Sequence, residues 1–297
     1  MSLTRRRFLT ICAASAMASP ASGSTWRGVA LGADASIEIR GEGSEMALQG
    51  ALDTIRRMER LFSLYDPTSV LSTLNRTGRL EMPPEFGALM SRVDLIHKAT
   101  GGLFDPTIQP KWRALYEGRE PSSEIVGEIG WDKVVRRGHE ISLPHPDMAL
   151  TLNGIAQGFA TDRVKAVLNA HGFEDVVVNV GEFAAGKGAL IGVSNTTGKV
   201  LSRVVLNEAA IATSSPDALL LTGGYSHILG PKGELASTWS TLSVVSKTAV
   251  LADGLSTALC LCSDLSMPRA LIEAGLAQKI LIEQKSGELI ELSERNL

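Results

Sequence analysis

From residue 176 onward the chain breaks into short apolar runs at 176–180, 189–193, 201–206, 209–212, 226–229 and 241–245, with Gly or Pro in nearly every gap. Such runs, bounded by breakers, are too short for helices and read as strands. A closing pair at 279–283 and 288–292 has the spacing of a hairpin. The first half follows a different period. Leu48, Leu52, Ile55, Met58 and Phe62 recur every three or four residues, which predicts an amphipathic helix over 45–62 with Arg56, Arg57 and Glu59 on its wet side. Further helices are expected at 83–99, 154–170, 248–263 and 267–274. Ala35, Ile37 and Ile39 alternate with Ser36, Glu38 and Arg40, a half-buried strand pattern inside 26–40. Between 120 and 150, short strands alternate with turns. No long polar linker or repeat divides these pieces. The expected fold class is therefore α+β, one unit over 24–297 of mixed sheets with packed helices, two intimately packed subdomains being the alternative.

Composition narrows the class of function. A chain of 297 residues that is 44% hydrophobic and 21% charged has ample material for a core. Its formal charge of -3 is too balanced for a phosphate-backbone binder, so nucleic acid is excluded as an expected partner. Three Cys cannot build a disulfide framework. Cys260 and Cys262 lie two apart in a helix-like segment, so their side chains diverge and are expected to be buried free thiols.

The first 23 residues are a different kind of object. Arg5, Arg6 and Arg7 precede a short apolar run from Phe8 to Met17 and then small residues, with no acid. This resembles a twin-arginine-type export signal and implies a periplasmic protein. Cys12 follows Leu9, Thr10 and Ile11, which do not form a lipoprotein cleavage box. No later stretch is apolar for the length that crosses a bilayer.

Three segments combine groups that can do chemistry. In ADGLSTAL (252–259), Asp253 and Thr257 are four apart on a helix and share a face. A carboxylate and a hydroxyl one turn apart present hard oxygen ligands of the kind Mg²⁺ takes. The same pair also fits a dipole-favoured acid and a Thr bonded back to its own helix. TLNGIAQGFATD (151–162) runs from strand into helix, with glycines at Gly154 and Gly158 that let backbone approach a ligand or simply make a tight turn. SHILGPKG (226–233) carries His227 between glycine turns, as a base or as a hydrogen-bonded structural residue. Two further polar segments, SxYDPTSxLSxLN (63–75) and TGGLFDPT (100–107), place Tyr65 and Phe104 where they could flank a planar ring or pack in the core.

Taken in order with VVVNVGE (176–182) and AIATSS (210–215), these motifs resemble the ApbE family of FAD:protein FMN transferases over about residues 28–262. The resemblance implies transfer of FMN from FAD, with Mg²⁺, to a Ser or Thr hydroxyl of an acceptor protein, AMP leaving. It implies that Asp253, Thr257 and the Gly154 carbonyl hold the metal and that His227 takes the hydroxyl proton. Leu31, Tyr65, Leu103, Phe104, Asp105, Thr151 and Gln157 then fall at FAD-contacting positions. The chain departs from the family pattern where Thr151 replaces an Asp, Gln157 a Lys and Glu182 a Gly, which puts the contacts at 151 and 157 in doubt. With the signal, this variant resembles the NosX-like branch associated with nitrous oxide reductase maturation, whose implied acceptor is a membrane-bound flavoprotein. A non-catalytic FAD carrier and a pyrophosphatase that splits FAD into FMN and AMP use the same residues and stay open.

Overall fold

A computed structural model describes residues 23–296 apart from Leu235 and Ser237, so residues 1–22 of the export-signal reading, including Cys12, lie outside the described residues. The strands are β1 (Gly23–Ala30), β2 (Ala33–Arg40), β3 (Arg79–Glu81), β4 (Val135–Arg137), β5 (Glu140–Ser142), β6 (Val177–Val180), β7 (Phe183–Ala185), β8 (Ala189–Ser194), β9 (Val200–Leu206), β10 (Ala209–Ser214), β11 (Trp239–Ser246), β12 (Lys279–Gln284) and β13 (Leu289–Ser293). The helices are α1 (Ser44–Phe62), α2 (Val70–Thr77), α3 (Pro84–Ala99), α4 (Gln109–Tyr116), α5 (Ser123–Glu128), α6 (Ala156–Ala170), α7 (Ala249–Leu259) and α8 (Ser266–Glu273). The fold is α+β.

An eight-stranded sheet in the order β1-β2-β6-β7-β10-β11-β12-β13 organises the molecule. Each adjacent pair in it is antiparallel. Period-two alternation decides its faces: Ala33, Ala35, Ile37 and Ile39 of β2 are buried while the residues between them are not. On one face lie α1, α3, α6 and α7, whose Met58, Phe86, Leu89, Val164 and Leu255 fill the main core with Ile37, Val178 and Val244 of the sheet. The other face is covered by the β8–β9 hairpin, which closes a second core of Phe183, Ile191, Val193, Leu206, Ile211 and Leu281. Among the described residues no helix is long and apolar enough to cross a membrane.

Several expectations meet the structure with changes that have local causes. The single strand expected inside 26–40 is a hairpin, β1 paired with β2 from Gly23↔Arg40 to Ala30↔Ala33. Its turn is Leu31–Gly32, both at positive φ, 49° and 82°, the backbone twist that a two-residue hairpin loop requires. Leu at such a position gives no turn signal in sequence. The strand expected at 226–229 does not form. Among the described residues the surrounding loop makes one bridge, Leu220↔Ser226, because Gly223 and Gly224 adopt φ of 82° and 81° and turn the chain away from any neighbouring strand. Helices α2, α4 and α5 carry too few residues for a periodic signal. α2 is fixed by its ends: Ser69 Oγ accepts from the Ser72 N–H at 3.0 Å, and Gly78 closes it in the left-handed conformation. Helix α7 stops at Leu259, before Cys260 and Cys262, which are free and buried. Burial pushes the Cys262 thiol up to about 11 and Cys260 further still.

Candidate functional site

The polar residues of the 63–75 segment act mainly on their own backbone. Ser63 Oγ accepts from the Tyr65 and Asp66 N–H groups at 3.1 Å each. Its carbonyl accepts from Ser69 Oγ and Ser72 Oγ at 2.5 and 3.0 Å. Asn75 reaches across 75 residues to bond both backbone groups of Leu150, at 2.9 and 2.7 Å. These fasteners hold the exit of α1 against the strand-like approach to α6, and Tyr65 projects from it 57% exposed. Phe104 differs: it is 5% exposed and belongs to the main core, presenting only part of its ring to the same space. Phe62, not Tyr65, supplies the buried aromatic of this corner, with ring contacts to Phe86 and Phe159.

Between these segments and α7 lies a cleft of about 770 Å³, within the size range of small-molecule sites. It receives every residue expected at a site. Leu31 enters from the β1–β2 turn, Tyr65 from the α1 exit, and Leu103, Phe104 and Asp105 from the turn after α3. Thr151 and Gly154 come from the approach to α6, Gln157 from its first turn, His227 from the irregular loop, and Asp253 and Thr257 from α7. Not all are equally available to a ligand. Both oxygens of Asp105 are engaged, accepting from the Thr107 N–H and Oγ1 and from the Trp131 N–H at 2.8, 2.5 and 2.9 Å, so this carboxylate anchors the turn. Thr151 Oγ1 accepts from the Asn153 N–H at 3.3 Å. Gln157 Nε2 donates to the Leu31 carbonyl at 3.4 Å, bracing the strained turn whose other side is held by the Leu31 N–H on Glu59 Oε1 at 3.2 Å.

The helical period of α1 puts Glu59 and Arg56 on its wet face. They are on that face, and the solvent they meet is the cleft. Helical periodicity separates wet from dry but cannot distinguish bulk water from a binding cavity. Lys111 belongs to none of the sequence motifs. Its Nζ donates to the Gly230 carbonyl at 2.9 Å and pins the loop that carries His227.

At the far end of the cleft α6 and the turn before it come into contact with α7 where glycine permits it. A Cβ on Gly154 would lie 2.9 Å from Thr257 Oγ1, and one on Gly158 would lie 2.3 Å from the Ala249 carbonyl oxygen. Through these gaps Thr257 Oγ1 sits 3.5 Å from the Gly154 carbonyl, and the Gly158 N–H donates to Asp253 Oδ2 at 2.9 Å. The start of α7 is capped by Asp162, whose two oxygens accept from the Ala249 and Val250 N–H groups at 2.8 and 2.9 Å. Burial pushes the Asp253 carboxyl up to about 7, opposed by the Gly158 N–H and reinforced by the charge of Asp162. Asp162 itself is pushed up to about 6 by burial, against the two N–H groups it caps and nearby cations.

His227 is half-buried. Its Nδ1 lies 3.0 Å from the Leu219 carbonyl, which can only accept, so a neutral ring here carries its proton on Nδ1 and its lone pair on Nε2. Among the described residues no group of three or more His, Cys, Asp or Glu side chains could hold a metal ion. Asp253, Thr257 and the Gly154 carbonyl are instead a small set of hard oxygens. That set suits a cation which takes its remaining ligands from water and a bound phosphate.

Comparison with known proteins decides the family. The profile of the ApbE family matches residues 31–277. The chain belongs to the ApbE family. A relative from Haemophilus influenzae, named FAD:protein FMN transferase, is 24% identical over 288 residues, 86% of this chain and 82% of that protein. Another of the same name from Chlamydia muridarum is 24% identical over 229 residues, 68% of this chain and 71% of its own length. The crystal structure of an ApbE protein from Thermotoga maritima superposes with a TM-score of 0.80 at 23% identity, covering 92% of this chain and 98% of that one. A flavin transferase ApbE from Vibrio cholerae gives 0.78 at 21% identity, covering 93% and 98%. At these identities the structural likeness establishes a shared ApbE fold, into which the cleft and its residues are built.

Proposed function

We propose that this ApbE-family chain transfers FMN from FAD to a Ser or Thr hydroxyl of an acceptor protein. The observation that carries the reading is the meeting of Asp253 and Thr257 of α7 with the Gly154 carbonyl of the turn before α6, at one end of a cleft that also presents His227. Relatives covering most of the chain bear the matching name.

The residues divide the work by position. Tyr65 and the apolar wall formed by Leu103 and part of Phe104 offer surfaces for a flavin or adenine ring. Asp253, Thr257 and the Gly154 carbonyl would hold Mg²⁺, which when bound offsets the negative charge of a diphosphate. In the transfer the acceptor oxygen bonds to the phosphorus on the FMN side, the bond from that phosphorus to the bridging oxygen breaks, and AMP departs. Nε2 of His227, held toward acceptance by the Nδ1–Leu219 bond, takes the hydroxyl proton. Gln157 braces the Leu31 turn and leaves that part of the cleft without the positive charge a Lys would bring.

The resemblance of residues 1–23 to a twin-arginine-type signal supports a periplasmic site for this activity. The TLNGIAQGFATD variant supports an acceptor among membrane-bound flavoproteins that serve nitrous oxide reductase. The test is incubation of the protein with FAD, Mg²⁺ and a candidate acceptor domain, followed by denaturing electrophoresis. Fluorescent acceptor with stoichiometric AMP is the expected result. Free FMN and AMP with unlabelled acceptor would identify a pyrophosphatase, and retained, intact FAD a carrier.

A further inference from the structure

Glu182 follows β6 and lines the same cleft as Asp253, yet it is 6% exposed, and Asp253 is 3% exposed. One of its oxygens, Oε2, accepts from the Thr213 N–H at 3.2 Å. No described residue bonds the other oxygen, Oε1, on the cleft wall. Asp253 is in the same condition, with Oδ2 engaged by Gly158 and Oδ1 not. The segments that carry the two carboxylates are tied to each other. Thr161, one turn beyond Gly158 on α6, donates to the Glu182 carbonyl at 3.1 Å. Ser214, next to Thr213 on β10, lies 3.5 Å from Thr257 Oγ1.

No ion pair among the described residues involves either carboxylate. Two buried acids without a basic partner are costly, and a diphosphate brought beside them adds like charge. A divalent cation resolves both problems with the oxygen chemistry already present. We propose that Glu182 is a second carboxylate ligand of the divalent cation that Asp253, Thr257 and the Gly154 carbonyl would hold. This inference rests on the cation site proposed above and adds to it a residue that no motif assigned to the metal.

Mn²⁺ is the probe, titrated by electron paramagnetic resonance into the full chain, free and FAD-loaded, at about pH 8, because a metal competes with protons for its ligands. Glu182→Gln keeps the shape and the Thr213 contact and is expected to weaken Mn²⁺ binding about tenfold or more, with Asp253→Asn weakening it further. Without metal, Glu182→Gln should melt no lower than the unsubstituted protein, since one of two buried acids is neutralised. Should that variant not fold, Glu182→Ala removes the carboxylate without adding bulk and is read the same way. Unchanged Mn²⁺ affinity in the Glu182 variants with loss in Asp253→Asn overturns the proposal and leaves the Asp253 site standing. Absence of Mn²⁺ binding in the unsubstituted protein overturns both.

Discussion

The Gly158 N–H donates to Asp253 Oδ2 at 2.9 Å, so the first turn of α6 fixes the orientation of the acid on α7. The bond exists because residue 158 has no side chain. Gly158→Ala would press a methyl to 2.3 Å from the Ala249 carbonyl oxygen and 2.7 Å from Asp253 Cβ. Separation of the helices is expected to cost about 1–3 kcal/mol. Chemical denaturation should show that loss, and an Mn²⁺ titration should show weakened binding in protein that remains folded.

Asp253→Ala removes the one carboxylate in the proposed ligand set that α7 supplies. Flavin labelling that depends on Mg²⁺ should fall at least about a hundredfold. Fluorescence quenching should still detect FAD in the cleft, because the ring-binding surfaces around Tyr65 and Leu103 are on other elements. Labelling at the unsubstituted rate would dismiss Asp253 as a participant.

His227→Ala leaves the ring-binding wall intact and takes away the proton acceptor. FAD affinity should hold while the rate of acceptor labelling falls about 10²–10⁴-fold, the usual worth of a general base. Equal rates for the two proteins would remove His227 from the proposed chemistry.

Buried acids also set a pH dependence. Asp162 and Asp253 are pushed up to about 6 and about 7, and Glu182 is raised by burial and by Asp253. A carboxyl raised on folding holds its proton more tightly in the native state, so stability contributed at low pH is lost as pH rises from the unfolded carboxylate range through these values. In EDTA the melting temperature should therefore fall as pH rises from about 4 through 7. Asp253→Asn should flatten the upper part of that decline. A melting temperature that rises over this interval would contradict the burial argument.

Much of this molecule is legible in one dimension. The 3.6 period of Leu48, Ile55 and Phe62 and the alternation of Ala35, Ile37 and Ile39 correspond to α1 and β2, because burial on one face is a repeating local constraint. The order of the motifs pointed to the ApbE family, and the family profile bears this out over 31–277. The β1–β2 turn was not legible, since Leu31 sits at positive φ under the hold of Glu59 and Gln157, which lie 28 and 126 residues away. Nor was the loop around His227, whose shape depends on Lys111, 119 residues from the Gly230 carbonyl it binds.

Sequence alone determined which segments could bury a face and which residue types could bind oxygen, phosphate or a proton, because those properties belong to single side chains and their near neighbours. Tertiary structure decided which of those side chains share water. It placed Asp105 in an anchoring turn, turned Glu59 toward the cleft, and left Glu182 and Asp253 buried along the cleft with no basic partner among the described residues. Those outcomes depend on how closely α7 can approach α6 and β10, a distance set by glycines and packing that no local pattern encodes.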